Sequence, residues 1–170
     1  MSNKETYTPR RKTMDRANIP KSQEEAYAIL DQLEKLPGLI PEELATNPSD
    51  ELMDICADTV SKIHIRSARI RAFVIDKKRT IPDLQADITT QLEMLNRLLM
   101  CVIRAINILY YTHERVTALI NEHNRTDLFE IAKSFNHKYK VLAKEKRSIE
   151  CTIDILEFFQ IKLQEATNEQ

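Results

Sequence analysis

The sequence predicts an all-α protein, an elongated helical bundle of about four helices whose last two form a long antiparallel, coiled-coil-like pair. Three observations lead to this prediction. The 170 residues include 1 Gly, so tight β-hairpins and other turns that require positive φ are disfavoured. Hydrophobic residues make up 42% and charged residues 30%, which is typical of helices with one apolar and one solvated face. In the second half of the chain, apolar residues recur at alternating intervals of four and three.

The beginning of the chain is polar and basic. We therefore predict a flexible basic tail over 1–21, followed by a helical bundle domain over 22–170. The first helix is predicted over about 22–36, because Ser22 and Glu25 form a capping-box pattern in front of an apolar stripe.

Two prolines within 37–47 predict an ordered connection after the first helix. The second helix is expected to begin with Asn47 as its N-cap and Pro48 in its first turn. It should end at the basic residues Lys77, Lys78 and Arg79, where the helix dipole favours cations. Its apolar stripe is predicted at Leu52, Cys56, Thr59, Ile63, Arg66, Ile70 and Phe73.

The third helix begins at Thr80, which forms a second capping pattern with Asp83. Its four-three pattern predicts a seam made of Ile88, Leu92, Leu95, Leu99, Val102, Ile106, Leu109, His113, Val116 and Ile120. Positions beside this seam are also apolar between Leu98 and Tyr111, so the middle of this helix should lie at the centre of the bundle. On this seam, His113 is interpreted as a neutral core histidine.

The fourth helix should follow a polar break over 121–127, with Thr126 as its cap. The seam is predicted at Leu128, Ala132, Phe135, Tyr139, Leu142, Lys146, Ile149, Ile153, Leu156, Gln160 and Leu163. At 1.5 Å per residue the third and fourth helices each approach ~60 Å, so we expect an elongated bundle.

Signatures of catalysis are missing from the sequence. A single Gly excludes phosphate-binding loops, and none of the 4 His lies in a His-Glu-x-x-His or Glu-x-x-His motif. Cys56, Cys101 and Cys151 are widely spaced in apolar surroundings, which predicts buried cysteines rather than a disulfide framework or a zinc site. We expect a non-enzymatic protein with no cofactor, no metal and no small-molecule substrate.

The net charge of -1 gives no global attraction to nucleic acid or membranes. The most apolar stretch is interrupted by Arg104 and Asn107 and is shorter than the ~20 residues of a membrane span. With no apolar signal segment at its start, the chain is expected to be nuclear or cytoplasmic, neither secreted nor membrane-spanning.

Apolar surface in excess of what two helices cover predicts a partner site. We expect the chain to bind other helical subunits, as a hetero- or homo-oligomer. The predicted contact residues are Leu99, Ile103, Ile108, Tyr110, Ile149, Ile153, Phe158, Phe159 and Leu163.

Basic residues suggest nucleic-acid binding as an alternative, through the tail and the second helix. The helical candidates are Arg66, Arg69, Arg71, Lys77, Lys78, Arg79, Lys138, Lys140, Lys144, Lys146 and Arg147. Their positions are spread around their helices, whereas phosphate binding requires a cluster on one face.

The helical order and several of its residues resemble the helical domain of the Sld-five-type subunit of the GINS replication complex. The resemblance spans roughly residues 25–140 and is carried by Pro41, Glu42, Leu44, Leu92, Glu93, Leu95, Leu99, Ile103 and Arg104. It implies a non-enzymatic scaffold packed beside related helical subunits of the replicative helicase assembly. The chain departs from the family at Ala105–Ile108, where the family has an arginine-rich stretch, and in continuing as a helix where a small β-domain follows in the family.

The leading prediction is therefore a scaffold or adaptor subunit of a multiprotein complex, in DNA replication or chromosome maintenance. Coiled-coil subunits of kinetochore, cytoskeletal or vesicle-tethering complexes remain alternatives, as does a self-assembling coiled coil.

Overall fold

The computed structural model describes residues 19–36, 50–73 and 80–168, with side chains from residue 58 onward in the second range. The elements are α1 Gln23–Glu34, α2 Asp50–Phe73, α3 Ile81–His123, a 3-10 turn Thr126–Leu128 and α4 Phe129–Asn168. No strand occurs within these ranges, and the prediction of an all-α elongated bundle is confirmed.

Several predictions fall outside the described residues. These are the tail before residue 19, the connection over 37–47, the start of the second helix at Asn47 and its basic end at Lys77–Arg79.

The first helix begins where the capping pattern predicts. The Ser22 hydroxyl accepts a hydrogen bond from the backbone N–H of Glu25 at 3.2 Å. The Glu25 carboxylate accepts one from the backbone N–H of Lys21 at 2.7 Å. Such side-chain acceptors supply partners for amides that have none within the helix. The buried face of α1 consists of Ala26, Leu30 and Leu33.

α3 and α4 form the frame of the molecule. The chain reverses at Asn124, whose φ of 51° lies in the left-handed region that asparagine tolerates. The side chains of Gln85 and Thr167 meet at 3.4 Å, as do those of Gln160 and Thr89. The start of α3 therefore lies beside the end of α4, which confirms an antiparallel pair about 60 Å long.

The predicted seam of α3 is confirmed at its buried positions, and its remaining positions Leu92, Leu99, Ile106 and His113 are half-buried. Leu95, Val102, Leu109 and Val116 are buried as expected. The intervening buried positions are Leu98, Ala105 and Thr112, whereas the prediction chose their neighbours Leu99, Ile106 and His113. The pattern allowed both choices because α3 is apolar over a wide arc, and Leu99 and Ile106 still pack against the core edge.

His113 is thus half-buried beside Glu114, and its interpretation as a core histidine is wrong. Thr112 takes the core position instead. Its hydroxyl donates to the Ile108 carbonyl at 2.8 Å, so its burial leaves no donor without a partner.

The stripe of α4 follows the prediction more closely. Buried positions of the predicted seam are Leu128, Ala132, Phe135, Leu142, Ile149 and Ile153. The other predicted positions, Tyr139, Lys146, Leu156, Gln160 and Leu163, are half-buried. Glu145 is buried as well, which the seam did not predict.

Arg97 attaches α1 to α3. Its guanidinium donates two hydrogen bonds to Glu34, at 2.8 and 2.9 Å, and one to Asp31 at 2.9 Å. It also lies 5.6 Å from the ring centre of Tyr27, a cation–π distance. Tyr27, Asp31 and Glu34 share one face of α1, so the contacts of Arg97 add to the burial of the apolar face in holding that helix.

The hydrogen bonds from Arg97 lower the pKa of the Glu34 carboxyl below its ordinary value of 4.5. A carboxyl whose pKa is depressed by folding stabilises the native state at a pH above its unfolded pKa. That stabilisation disappears as the pH falls through the folded pKa.

We expect Arg97→Ala to lower the free energy of unfolding by about 1–2 kcal/mol, a value reduced by solvent screening of the exposed carboxylates. Arg104→Ala, an exposed arginine on the same helix, is the matched control and should change it little. Urea unfolding at several pH values measures both. The difference in free energy of unfolding between the wild type and the Arg97 variant should shrink below about pH 4.5. A difference that does not depend on pH would contradict the role of Glu34.

Candidate partner-binding surfaces

No cluster suited to metal binding appears in the described part of the chain, where no three His, Cys, Asp or Glu side chains converge. His123 and His137 are exposed, and His113 is half-buried next to Glu114. His64 is the histidine that lies beside a buried carboxylate, and it belongs to a packing contact between two helices.

This contact is a buried ion pair that fastens α2 to α4. Glu145 is 8% exposed, and its Oε1 lies 2.6 Å from Nη1 of Arg71, while His64 Nδ1 is 4.0 Å from its other oxygen. The Arg71 and Glu145 atoms are close but not aligned as a hydrogen bond, so the attraction is chiefly ionic. A spacing signal existed in the sequence: Glu145 stands three residues after Leu142 and four before Ile149, on the buried face.

A second contact between α2 and α4 lies nearer the turn. Lys138 Nζ donates to the Ser61 hydroxyl at 3.0 Å. Partial burial lowers the pKa of the Lys138 ammonium, an effect opposed by the nearby charge of Asp58. The position of α2 is thus fixed by polar contacts, which adds to the burial of Ile63 and Ile70.

An open apolar groove runs between α1, α2 and α3. Its volume is about 710 Å³, and it is lined by Leu33, Glu34, Leu36, Ile63, Arg97, Met100, Cys101, Ile103, Arg104, Asn107, Ile108 and Tyr111. Glu34 and Arg97 are hydrogen-bonded to each other. Arg104 is exposed on the rim, and no residue in the described ranges pairs with its guanidinium.

The thiol in this groove is not set up for reaction. Burial raises the pKa of the Cys101 thiol, so the protonated, unreactive form dominates at neutral pH. The prediction of buried cysteines needs correction, because Cys101 is only partly buried and Cys151 is exposed. The side chain of Cys56 lies outside the described residues.

A second apolar surface lies on the outside of α4 near its end. We call it the outer stripe, and it consists of Ile155, Phe158, Phe159 and Ile161, each more than half exposed. An edge-to-face contact at 6.2 Å between centroids holds Phe158 and Phe159 together, and Lys162 Nζ lies 5.8 Å from the Phe158 ring centre. An apolar group of this size on a monomer's surface is typical of an interaction site.

The predicted contact residues separate into four groups, the last of which is the buried pair Ile149 and Ile153. Ile103 and Ile108 line the groove, and Phe158 and Phe159 lie in the outer stripe. Tyr110 is exposed and stacks with Tyr111 and Tyr139, while Leu99 and Leu163 are half-buried.

Ile149 and Ile153 require a correction. Both side chains are buried in the chain's own core, at 0% and 7% exposure, and are not accessible to a partner. They face the buried side of α4, since α3 covers the stripe from which they were predicted. Sequence reasoning missed Met100, Tyr111 and Ile155; Ile155 could have been found, because it stands three residues before Phe158 on the same face.

The basic residues of α4 also divide by environment. Lys138 and Lys146 are half-buried, and Lys146 pairs with Glu150 at 2.7 Å. The remaining Lys140, Lys144 and Arg147 are exposed at four-three spacing. These three share one face of α4, whereas Lys138 and Lys146 lie on other sides of the helix, so the five basic residues taken together are spread around it.

Comparison with protein-family models, with curated proteins and with solved structures finds no significant match to this chain. None of the described helices combines the length and the apolar character needed to cross a bilayer.

We expect Glu145→Ala to lower the free energy of unfolding by about 2–3 kcal/mol, because it leaves the partly buried Arg71 without its counterion. The double variant Arg71→Met with Glu145→Met should lose much less than the sum of its single changes. Glu150→Ala removes a half-exposed ion pair on the same helix and should cost under ~0.5 kcal/mol. If the double variant lost as much free energy of unfolding in chemical denaturation as the two single variants together, Arg71 and Glu145 would not interact.

Proposed function

We propose that this chain is a non-enzymatic scaffold or adaptor subunit that binds a helix of another protein in the groove between α1, α2 and α3. The observation that carries the proposal is the composition of the groove. Its wall is mostly apolar, and its rim bears the guanidinium of Arg104, which pairs with no residue in the described ranges. Among the described lining residues, Glu34 and Arg97 are hydrogen-bonded to each other, and burial raises the pKa of the Cys101 thiol.

The chemistry of the partner follows from that composition. Met100 and Tyr111, 65% and 69% exposed, stand about three turns apart on one side of α3, with Ile103 and Ile108 on its two flanks. An amphipathic helix can lay its apolar face along such a surface. Arg104 then favours a partner helix that carries a carboxylate beside its apolar face, because an exposed guanidinium matches carboxylate geometry.

The complex proposed first is one of DNA replication or chromosome maintenance, in the nucleus. The support is the resemblance to the helical domain of the Sld-five-type subunit, in which Ile103 and Arg104 are among the matching residues. Kinetochore, cytoskeletal and vesicle-tethering complexes are the alternatives, and they share the same binding chemistry.

One observation favours nucleic-acid binding as a second candidate. Lys140, Lys144 and Arg147 form an exposed basic face on α4. On α2, by contrast, Arg71 is already paired with Glu145. Fluorescence anisotropy with short DNA and RNA duplexes tests this candidate: binding should weaken steeply with salt and be lost on reversing the three charges. Absence of binding at about 50 mM salt would eliminate it.

We expect Met100→Glu and Arg104→Glu each to weaken binding of the stoichiometric helical partner by tenfold or more, ~1.4 kcal/mol. The first places a charge on the apolar wall, and the second reverses the charge on the rim. The partner is identified by affinity purification of the tagged chain, and its affinity is then measured by calorimetry with purified components.

Ile65→Glu is the control, because Ile65 is exposed on α2 and does not line the groove. It should leave the dissociation constant unchanged. Equal affinity of all three variants for the partner would contradict the groove as its site. A wild-type chain that purifies with no stoichiometric partner would contradict the proposed function.

A further inference from the structure

The last part of α4 is apolar on two opposite faces. Leu156 packs against the core that α4 shares with α3. Phe158 follows two residues later, so its side chain lies about 200° further round the helix and points away from α3. It is 57% exposed, and the other members of the outer stripe are exposed to a similar degree. A helix that is apolar on two faces is normally covered on both.

The residues around Phe158 are complementary to themselves in reverse order. Asp154 stands four residues before Phe158, and Lys162, which forms an exposed ion pair with Glu165 at 2.7 Å, stands four residues after it. Ile155 and Ile161 stand three residues before and after it. A two-fold axis at Phe158 brings each residue to the level of its mirror position in an antiparallel second copy. Asp154 of one copy then lies at the same height along the helix pair as Lys162 of the other. Ile155 of one copy likewise lies at the same height as Ile161 of the other.

We propose that a second copy of this chain covers the outer stripe, with two α4 helices packed antiparallel about Phe158. This contact uses a different surface from the groove and goes beyond the function proposed above. Two copies joined in this way place their grooves on opposite sides of the contact, so one dimer presents two sites for helical partners.

Charge selects the antiparallel arrangement over the parallel one. Parallel packing places Asp154 beside Asp154 and Lys162 beside Lys162, which is repulsive at both levels. Antiparallel packing about Phe158 makes both levels attractive. The same arrangement places the apolar end of one α4 beside the apolar end of the other. If the two-fold axis lay nearer the turn, Phe158 would pack against the exposed lysines of the second copy.

The size of the stripe sets the expected strength. With 150–250 Å² for a large side chain, four half-exposed residues offer about 400 Å² per copy. This is below the ~800 Å² per partner of a standard interface. We therefore expect a dimer in exchange with monomer at roughly micromolar concentration.

Sedimentation equilibrium of the full chain tests the contact. Between about 5 and 200 µM, the wild type should show a monomer–dimer equilibrium. Phe158→Asp should raise the dissociation constant by tenfold or more. Phe129→Asp is the matched control, because Phe129 is 56% exposed at the other end of α4 and should leave the equilibrium unchanged. Circular dichroism melting verifies that both variants fold.

Charge reversal tests the orientation. Asp154→Lys and Lys162→Asp should each weaken self-association about 3–10-fold, because each makes both symmetric levels repulsive. A mixture of the two single variants should associate more strongly than either alone, since the mixed dimer restores opposite charges at both levels. Lys144→Asp, outside the overlap, serves as the control and should have no effect.

Oxidative cross-linking provides an independent readout of direction. In the antiparallel dimer the two copies of Cys151 lie about 21 Å apart along the helices, which is too far for a disulfide. A Glu165→Cys variant places a thiol at the level of the second copy's Cys151, so a 151–165 disulfide between chains is expected.

Three results would overturn the proposal. One is a wild-type chain that stays monomeric over the whole concentration range. Another is a dimer that tolerates Phe158→Asp as well as Phe129→Asp. The third is a ready disulfide between two Cys151 side chains of the wild type, which requires the parallel arrangement.

Discussion

The packing of α3 against α4 is the constraint on which the rest of the molecule depends. Leu95, Val102, Leu109 and Val116 form the α3 side of a core that extends nearly the full length of both helices. Neither helix could be stable alone in water with such a stripe exposed, since helices gain most of their stability from packing an apolar face. The reversal at Asn124 and the contact between Gln85 and Thr167 fix the register at opposite ends of the pair.

α1 and α2 are added to this frame by a combination of apolar burial and specific polar contacts. Arg97 holds α1 through Glu34 and Asp31, and Glu145 holds α2 through Arg71. Ion pairs of this kind contribute modestly to stability but fix orientation, because one partner without the other is costly. The groove exists because these contacts hold α1 and α2 at set positions along α3, with Met100, Ile103 and Ile108 on its wall.

Much of the fold was readable from the sequence, because heptad spacing and capping patterns are local signals. Ser22 caps α1 as predicted, and six predicted stripe positions between Leu128 and Ile153 are buried. The sequence could not predict that Leu98 is buried rather than Leu99. Both are leucines, and only the positions of the neighbouring helices decide which one faces the core. The site was less predictable for the same reason: exposure of Ile155 and burial of Ile149 depend on which face of α4 meets α3.

The central claim is that the groove receives a helix of another protein. Hydrogen–deuterium exchange of the purified chain, alone and in its native complex, tests this most directly. Amides of α3 between residues 97 and 111 should exchange more slowly in the complex, because a bound helix suppresses local opening. Amides between residues 112 and 123, near the turn, should be unchanged. Equal exchange over residues 97–111 in the free and complexed chain would contradict the claim.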